Sequence, residues 1–140
     1  MIKANELRIG NYVNHNLKGI VKLKGIKPHS GDSMLVLEEG WVYLKNSKPV
    51  QLTEQWLIDF GFEKYTWCDD CAFIKINRTF LFVRKFKGKW ICQFRYIKKD
   101  KNGYYCGSNQ RDVLPKGKLK DVHQIQNLYF ALTGKELIKL

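Results

Sequence analysis

Acidic residues are nearly missing from the middle of this 140-residue chain: between Cys71 and Arg111 there is one, Asp100, against eleven Lys and Arg. A catalytic metal held by clustered carboxylates needs several acids close together, and the whole second half offers only Asp100, Asp112, Asp121 and Glu136, scattered in sequence. Long apolar runs are also lacking. None approaches the ~18 residues of a membrane helix, and Met1 to Glu6 has no apolar signal region, so a cytoplasmic protein without membrane contact is expected. In that setting the four cysteines read as free thiols or a metal site before they read as disulfides. There is no Gly-rich phosphate loop, no Gly-x-Ser-x-Gly and no His-Glu-x-x-His, which removes the common enzyme signatures. No cofactor is expected. Internal repeats and low-complexity tracts are absent as well.

What the chain does have is positive charge, unevenly spread. Residues 1–70 carry nine Lys/Arg and nine Asp/Glu, whereas residues 71–140 carry sixteen against four and hold the full +12. Such a field attracts polyanions over a Debye length of ~8–10 Å at physiological salt, and it speaks about partners before it speaks about fold. The nineteen Phe, Trp and Tyr suit strands and stacking surfaces.

The first fifty residues alternate short β-type runs with turn residues: Tyr12-Val13, Gly19 to Ile26, Met34 to Leu37, Trp41 to Leu44 and Val50 to Leu52. Pro28 to Asp32 reads as a loop and Glu38-Glu39-Gly40 as a tight turn. The pattern then changes. Thr53 can cap a short helix that Gly61 ends, with Trp56, Leu57 and Phe60 on one face. Strands follow at Ala72 to Asn77, Phe80 to Phe86, Lys89 to Ile97 and Gly103 to Cys106, with turns at Lys87-Gly88 and Asn102-Gly103. The last helix has a capping-box signature in Asp121 and Gln124 and a terminator in Gly134, and Val122, Ile125, Leu128, Tyr129 and Leu132 line one side. The expected fold class is α+β: an N-terminal SH3-like small β-barrel over residues 1–52, then over 53–140 a helix, an antiparallel β-meander and a C-terminal helix packed across it, the two sharing one body.

Three constellations invite chemistry. In the meander, alternation sends Trp90, Cys92, Phe94 and Tyr96 one way and Ile91, Gln93, Arg95 and Ile97 the other. One face should meet the helix. The other becomes a platform on which Lys75, Arg84, Lys85, Lys87, Lys89 and Arg95 contact phosphates while Trp90 or Tyr104 stacks a base. Six neutralised phosphates give a log-log salt slope of about −4 to −5. The plainer reading is a set of lysines that solubilise an aromatic sheet and guard its edges. Cys68 and Cys71, with Cys92 and Cys106, form a zinc site if the later two thiols converge, and otherwise remain buried thiols. His123, Asn127 and Phe130, with Gln126, form a second helix stripe that either reads a ligand or packs on the N-terminal unit with its amides satisfying backbone groups.

Lys3 to Asn11 and Val122 to Gly134, together with Leu52 to Leu57 and Phe60-Gly61-Phe62, resemble a group of small uncharacterised proteins encoded by phages and prophages of Bacteroidetes. That resemblance implies genomic context, a bacterial host cell and possible virion association; it carries no mechanism. The function expected from charge and resemblance together is a non-catalytic phage-type accessory protein that binds nucleic acid or a nucleotide-like anion. Two other readings stand beside it: a protein-interaction or virion-associated module facing an acidic protein surface, and an anti-defence protein that takes up a small nucleotide. A metal-free ribonuclease with His123 as base is a further alternative. Oligomeric state is left open.

Overall fold

The computed structural model describes all residues except 67, 104 and 115–117, and for residues 96–99 and 105–110 it describes the main chain alone. It is a mixed α+β chain with antiparallel sheets, dividing into two compact units: Met1–Gln51 with Asp121–Glu136, and Leu52–Lys120 with Leu137–Leu140.

In the first unit the strands form two three-stranded sheets and, among the described residues, close no barrel. One sheet has β1 (Tyr12–His15) between β2 (Gly19–Lys22) and β6 (Ser47–Pro49). The other has β4 (Asp32–Val36) between β3 (Gly25–His29) and β5 (Trp41–Tyr43). Pro28 to Asp32 was expected to be a loop, yet the loop shrinks to Ser30 and Gly31, both at positive φ, and Pro28 sits inside β3 opposite Ser33. The strand expected at Val50 to Leu52 lies earlier, as β6. Inward residues of the two sheets, among them Val13, Leu35 and Val42, join Ile2, Leu7 and Leu23 in one buried cluster.

Helix α1 (Glu54–Asp59) belongs to the second unit, and helix α2 (Val122–Thr133) to the first. The caps are those read from the residues. Thr53 Oγ1 accepts from Trp56 N at 3.4 Å, Gln124 Oε1 accepts from Asp121 N at 3.0 Å, and Gly134 takes the left-handed conformation that ends α2. The position of α2 differs from the expected one on the meander. Its Gln126 is fully buried, donating Nε2–H to Gly10 O at 2.9 Å and accepting through Oε1 from Tyr12 N at 3.2 Å; Asn127 donates to Glu6 O at 2.8 Å. These amides pair with main-chain groups in the segment that leads into β1, so α2 folds with the N-terminal strands. Arg8 adds a guanidinium 3.5 Å from the Phe130 ring centroid and an ion pair with Glu136 at 3.1 Å. Gly10, at φ +91, passes close to that pair: a Cβ there would stand 3.1 Å from Glu136 Oε2.

The second unit is a five-stranded antiparallel sheet in the order β11-β10-β9-β8-β7, so each strand pairs with its sequence neighbour. The strands are β7 (Glu63–Lys64), β8 (Cys71–Ile76), β9 (Thr79–Phe86), β10 (Lys89–Lys99) and β11 (Tyr105–Asp112). A register shift after Arg95 marks a bulge between β10 and β11. One face holds Ala72, Leu81, Val83, Trp90 and Cys92, all buried, and α1 packs on β8 with Trp56 and Leu57 also buried. The chain end returns to α1: Leu140 N donates to Asp59 O at 2.7 Å, and Lys139 pairs with the Asp59 carboxylate at 3.2 Å.

Replacing Gln126 with Ala removes the buried bond to Gly10 O and the part-buried bond from Tyr12 N, at about 1–3 kcal/mol each. Urea denaturation is expected to show a loss of roughly 2–4 kcal/mol for Gln126→Ala, and an unchanged midpoint would refute the bonding role assigned to this amide.

Candidate nucleic-acid interface

Cross-strand register sorts the basic residues. Lys75, Phe80 and Arg95 form one row across β8, β9 and β10; Phe73, Phe82 and Gln93 form the next; Cys71, Arg84 and Ile91 the third. Phe86 and Lys89 extend the same face to the hairpin end. Lys85 pairs with Trp90 and therefore points to the opposite side. Of the expected ligand residues, Lys75, Arg84, Lys89 and Arg95 thus share a face, and Lys85 and Trp90 do not.

Two of those expectations need correction. Trp90 is 6% exposed and donates its indole N–H to Leu52 O at 3.0 Å, so its ring belongs to the core and is closed to a base. The centre of the basic face is not an open platform either. Phe73 and Phe82 are buried, with Tyr65 edge-on to both at 6.2 and 5.1 Å and the Arg95 guanidinium 4.1 Å from the Phe82 centroid. Tyr104 lies outside the described residues.

Arg95 is held but not neutralised. Its Nη2 donates to Gln93 Oε1 at 3.2 Å, and Gln93 Nε2 donates in turn to Asp112 Oδ1 at 2.8 Å, so a neutral amide stands between guanidinium and carboxylate. Burial lowers the Arg95 pKa, the neighbouring Arg84 charge lowers it further, and Tyr65 acts the other way. The Nε atoms of Arg84 and Arg95 are both buried with no hydrogen-bond partner among the described residues.

The exposed cations gather where β9 turns into β10. Arg84-Lys85-Phe86-Lys87-Gly88-Lys89 places four positive charges in six residues, three of them on the side of a phenyl ring that is 49% exposed and Lys85 on the other. Lys87 (φ 49) and Gly88 (φ 75) make the two-residue turn. Arg84 Cζ lies 5.3 Å and Lys87 Nζ 5.5 Å from the Phe86 centroid, and Lys89 is its cross-strand partner. No acid occurs between Cys71 and Lys99, and among the described residues none of these four cations is in an ion pair; by register the nearest acid is Asp70, whose carbonyl accepts from Lys85 N at 3.0 Å. Phe86 was not singled out from the residues as the stacking ring. Its place opposite Lys89 across a Lys-Gly turn is the signal that could have found it.

The cysteine expectation also changes. Cys68 and Cys71 are joined in a disulfide instead of standing as free thiols or zinc ligands. Cys71 and Cys92 occupy rows on opposite faces of the sheet, so they cannot converge on one ion, and no cluster of metal-ligating side chains occurs among the described residues. The Cys106 side chain lies outside the described residues. Burial pushes the Cys92 thiol pKa up to about 12, which leaves it unreactive at neutral pH.

The helix stripe resolves toward packing. His123 is 2% exposed, Asn127 bonds Glu6 O and also accepts from Asn11 Nδ2 at 3.0 Å, and Phe130 lies under Arg8. No surface is left for His123 to act as a ribonuclease base. A separate cleft of about 520 Å³ in the first unit is lined by both Lys24 and Glu38, which pair with each other at 2.7 Å, so it presents no one-signed field.

Compared with protein-family models, curated proteins and solved structures, the chain matches none of them.

Two outcomes are expected from these buried groups. A thiol-directed alkylating reagent at neutral pH should leave Cys92 unmodified in the native chain and label it once urea unfolds the protein; rapid native labelling would contradict its burial. Burial also lowers the His123 pKa below the usual 6.5, against weaker opposing pulls from Asp121 and Glu6. The unfolded chain then takes up a proton at higher pH than the folded one, so the stability due to neutral His123 is complete above pH 6.5 and declines as pH falls below it. Urea midpoints measured across that range should fall less steeply for His123→Gln than for the unaltered chain, and identical slopes would exclude this linkage.

Proposed function

We propose that the chain is a non-catalytic nucleic-acid-binding protein whose β9–β10 hairpin provides the primary contact. The observation that carries this reading is the group of Arg84, Lys87 and Lys89 around half-exposed Phe86, with Lys85 on the other side of the same hairpin, none of them in an ion pair among the described residues. Cations on a projecting turn can follow a phosphate backbone, and an exposed ring beside them can stack on an unpaired base. Arg84 and Arg95 extend the field inward along the same face, and Lys75 closes its far row. The charge of the second unit supports this: sixteen Lys/Arg against seven Asp/Glu, a net +9 of the +12 total. The resemblance of the chain's two ends to phage-encoded proteins is consistent with an accessory role in a bacterial host cell, which we include in the proposal.

Fluorescence anisotropy with labelled single-stranded and duplex oligonucleotides over a salt series tests it. Four phosphate contacts give a log-log slope of about −3. The triple variant Arg84→Ala, Lys87→Ala, Lys89→Ala should lose about two units of that slope. Phe86→Ala should weaken single-strand binding several-fold and duplex binding less. Absence of binding at low salt, or a triple variant that binds like the unaltered chain, would remove the hairpin as the contact.

A further inference from the structure

The outward face of the β3–β4–β5 sheet breaks the alternation expected of a sheet with one side in water. Its inward residues Leu35 and Val42 are buried in the core of the first unit, as they should be. Outward, however, Met34, Val36, Trp41 and Tyr43 are apolar as well. Register arranges them in two rows, Lys27–Met34–Tyr43 and Gly25–Val36–Trp41. In the second row glycine contributes no side chain, so nothing from β3 covers Val36. Trp41 is 49% exposed and meets Tyr43 edge to face at 5.0 Å, and His29 stands 5.8 Å from the Tyr43 ring. The charges beside Tyr43 are positive: Lys27 in its row, and Lys45, whose Nζ lies 5.0 Å from the Tyr43 centroid; Glu38 and Glu39 stand in the turn before Trp41, with Glu38 paired to Lys24 at 2.7 Å. Asp32, at the hairpin end of the face, accepts from Ser33 N at 2.8 Å.

We propose that this face is a second nucleic-acid contact, on which unpaired bases stack against Trp41 and Tyr43 while Lys27 and Lys45 meet the adjoining phosphates. The proposal rests on the reading of the ligand as nucleic acid, but not on the hairpin being its contact. A half-exposed indole set edge to face against Tyr43, with lysines beside Tyr43, matches a ligand that joins planar rings to anions. An acidic peptide would answer the charges and leave the aromatic surface without a use.

The test uses the full chain, a short labelled poly-thymidine strand and anisotropy over a salt series. Trp41→Ala should weaken binding by about ten- to a hundredfold with an unchanged salt slope, because stacking releases no counterions. Trp41→Phe should retain most of the affinity, and ultraviolet crosslinking of the unaltered chain should map to Trp41 or Tyr43. If Trp41→Ala binds normally while the hairpin triple variant does not, the platform is refuted and the hairpin reading survives. Loss in Trp41→Ala with a normal triple variant supports the platform and removes the hairpin. If the unaltered chain sediments as a dimer and Trp41→Ala as a monomer, the face is occupied by a second copy and the proposal is overturned.

Discussion

The pairing register between Thr79–Phe86 and Lys89–Lys99 is the constraint on which the second unit depends. Side chains alternate with a period of two, so a slip of β9 by one residue against β10 would send Arg84 and Phe86 to the face of Trp90 and bring Leu81 and Val83 out to that of Arg95. The turn prevents this from both sides of the chain. Lys87 and Gly88 adopt the left-handed conformation that a two-residue hairpin requires, and the indole N–H of Trp90 bonds Leu52 O only when Trp90 faces inward. Burial of Leu81, Val83 and Trp90 on one face, and placement of Arg84, Phe86 and Arg95 around the buried Phe73 and Phe82 on the other, are therefore two results of one registration.

The first unit solves a different problem. Its N-terminal segment pairs on one side with Leu23, which accepts from Gly10 N at 2.8 Å and donates to Asn11 O at 2.9 Å, while Glu6 O, Gly10 O and Tyr12 N turn to α2. The amides of α2 supply both a donor and an acceptor, which an apolar side chain of similar volume cannot do. Polar residues inside a helix face thus complete the pairing that Leu23 begins, and the buried part of α2 becomes Val122, His123, Ile125 and Gln126, displaced from the purely apolar stripe.

Legibility from the residues followed the range of the interaction involved. Helix caps depend on groups three residues apart, and Thr53, Asp121 with Gln124, and Gly134 were readable for that reason. Strand alternation was readable as well, since it needs only sequence neighbours, and it correctly separated Trp90 from Arg95. What alternation cannot say is which side is covered. Trp90 was therefore assigned to a ligand when it belongs to the core, and the covering of Phe82 by Tyr65 and Arg95 could not be foreseen. Pairings over more than a hundred residues, such as Gln126 with Gly10, leave only a weak trace in composition. The loop expected at Pro28 failed for a local reason: proline was read as a breaker, although an edge strand tolerates it where its nitrogen points away from the neighbour.

That proline has a consequence for association. His29 and Asp32 close the β3–β4 hairpin, so the next pair, Pro28 with Ser33, directs its main-chain groups away from the ladder. Pro28 therefore interrupts the row of donors along the outer margin of β3, which pairs with no further strand among the described residues, and an incoming strand would find a hydrogen bond missing there. A sheet that shows aromatic side chains to water would otherwise invite growth by lateral strand addition. With the margin interrupted, the aromatic face can stay in solution while its polymerisation into a continuous sheet is disfavoured.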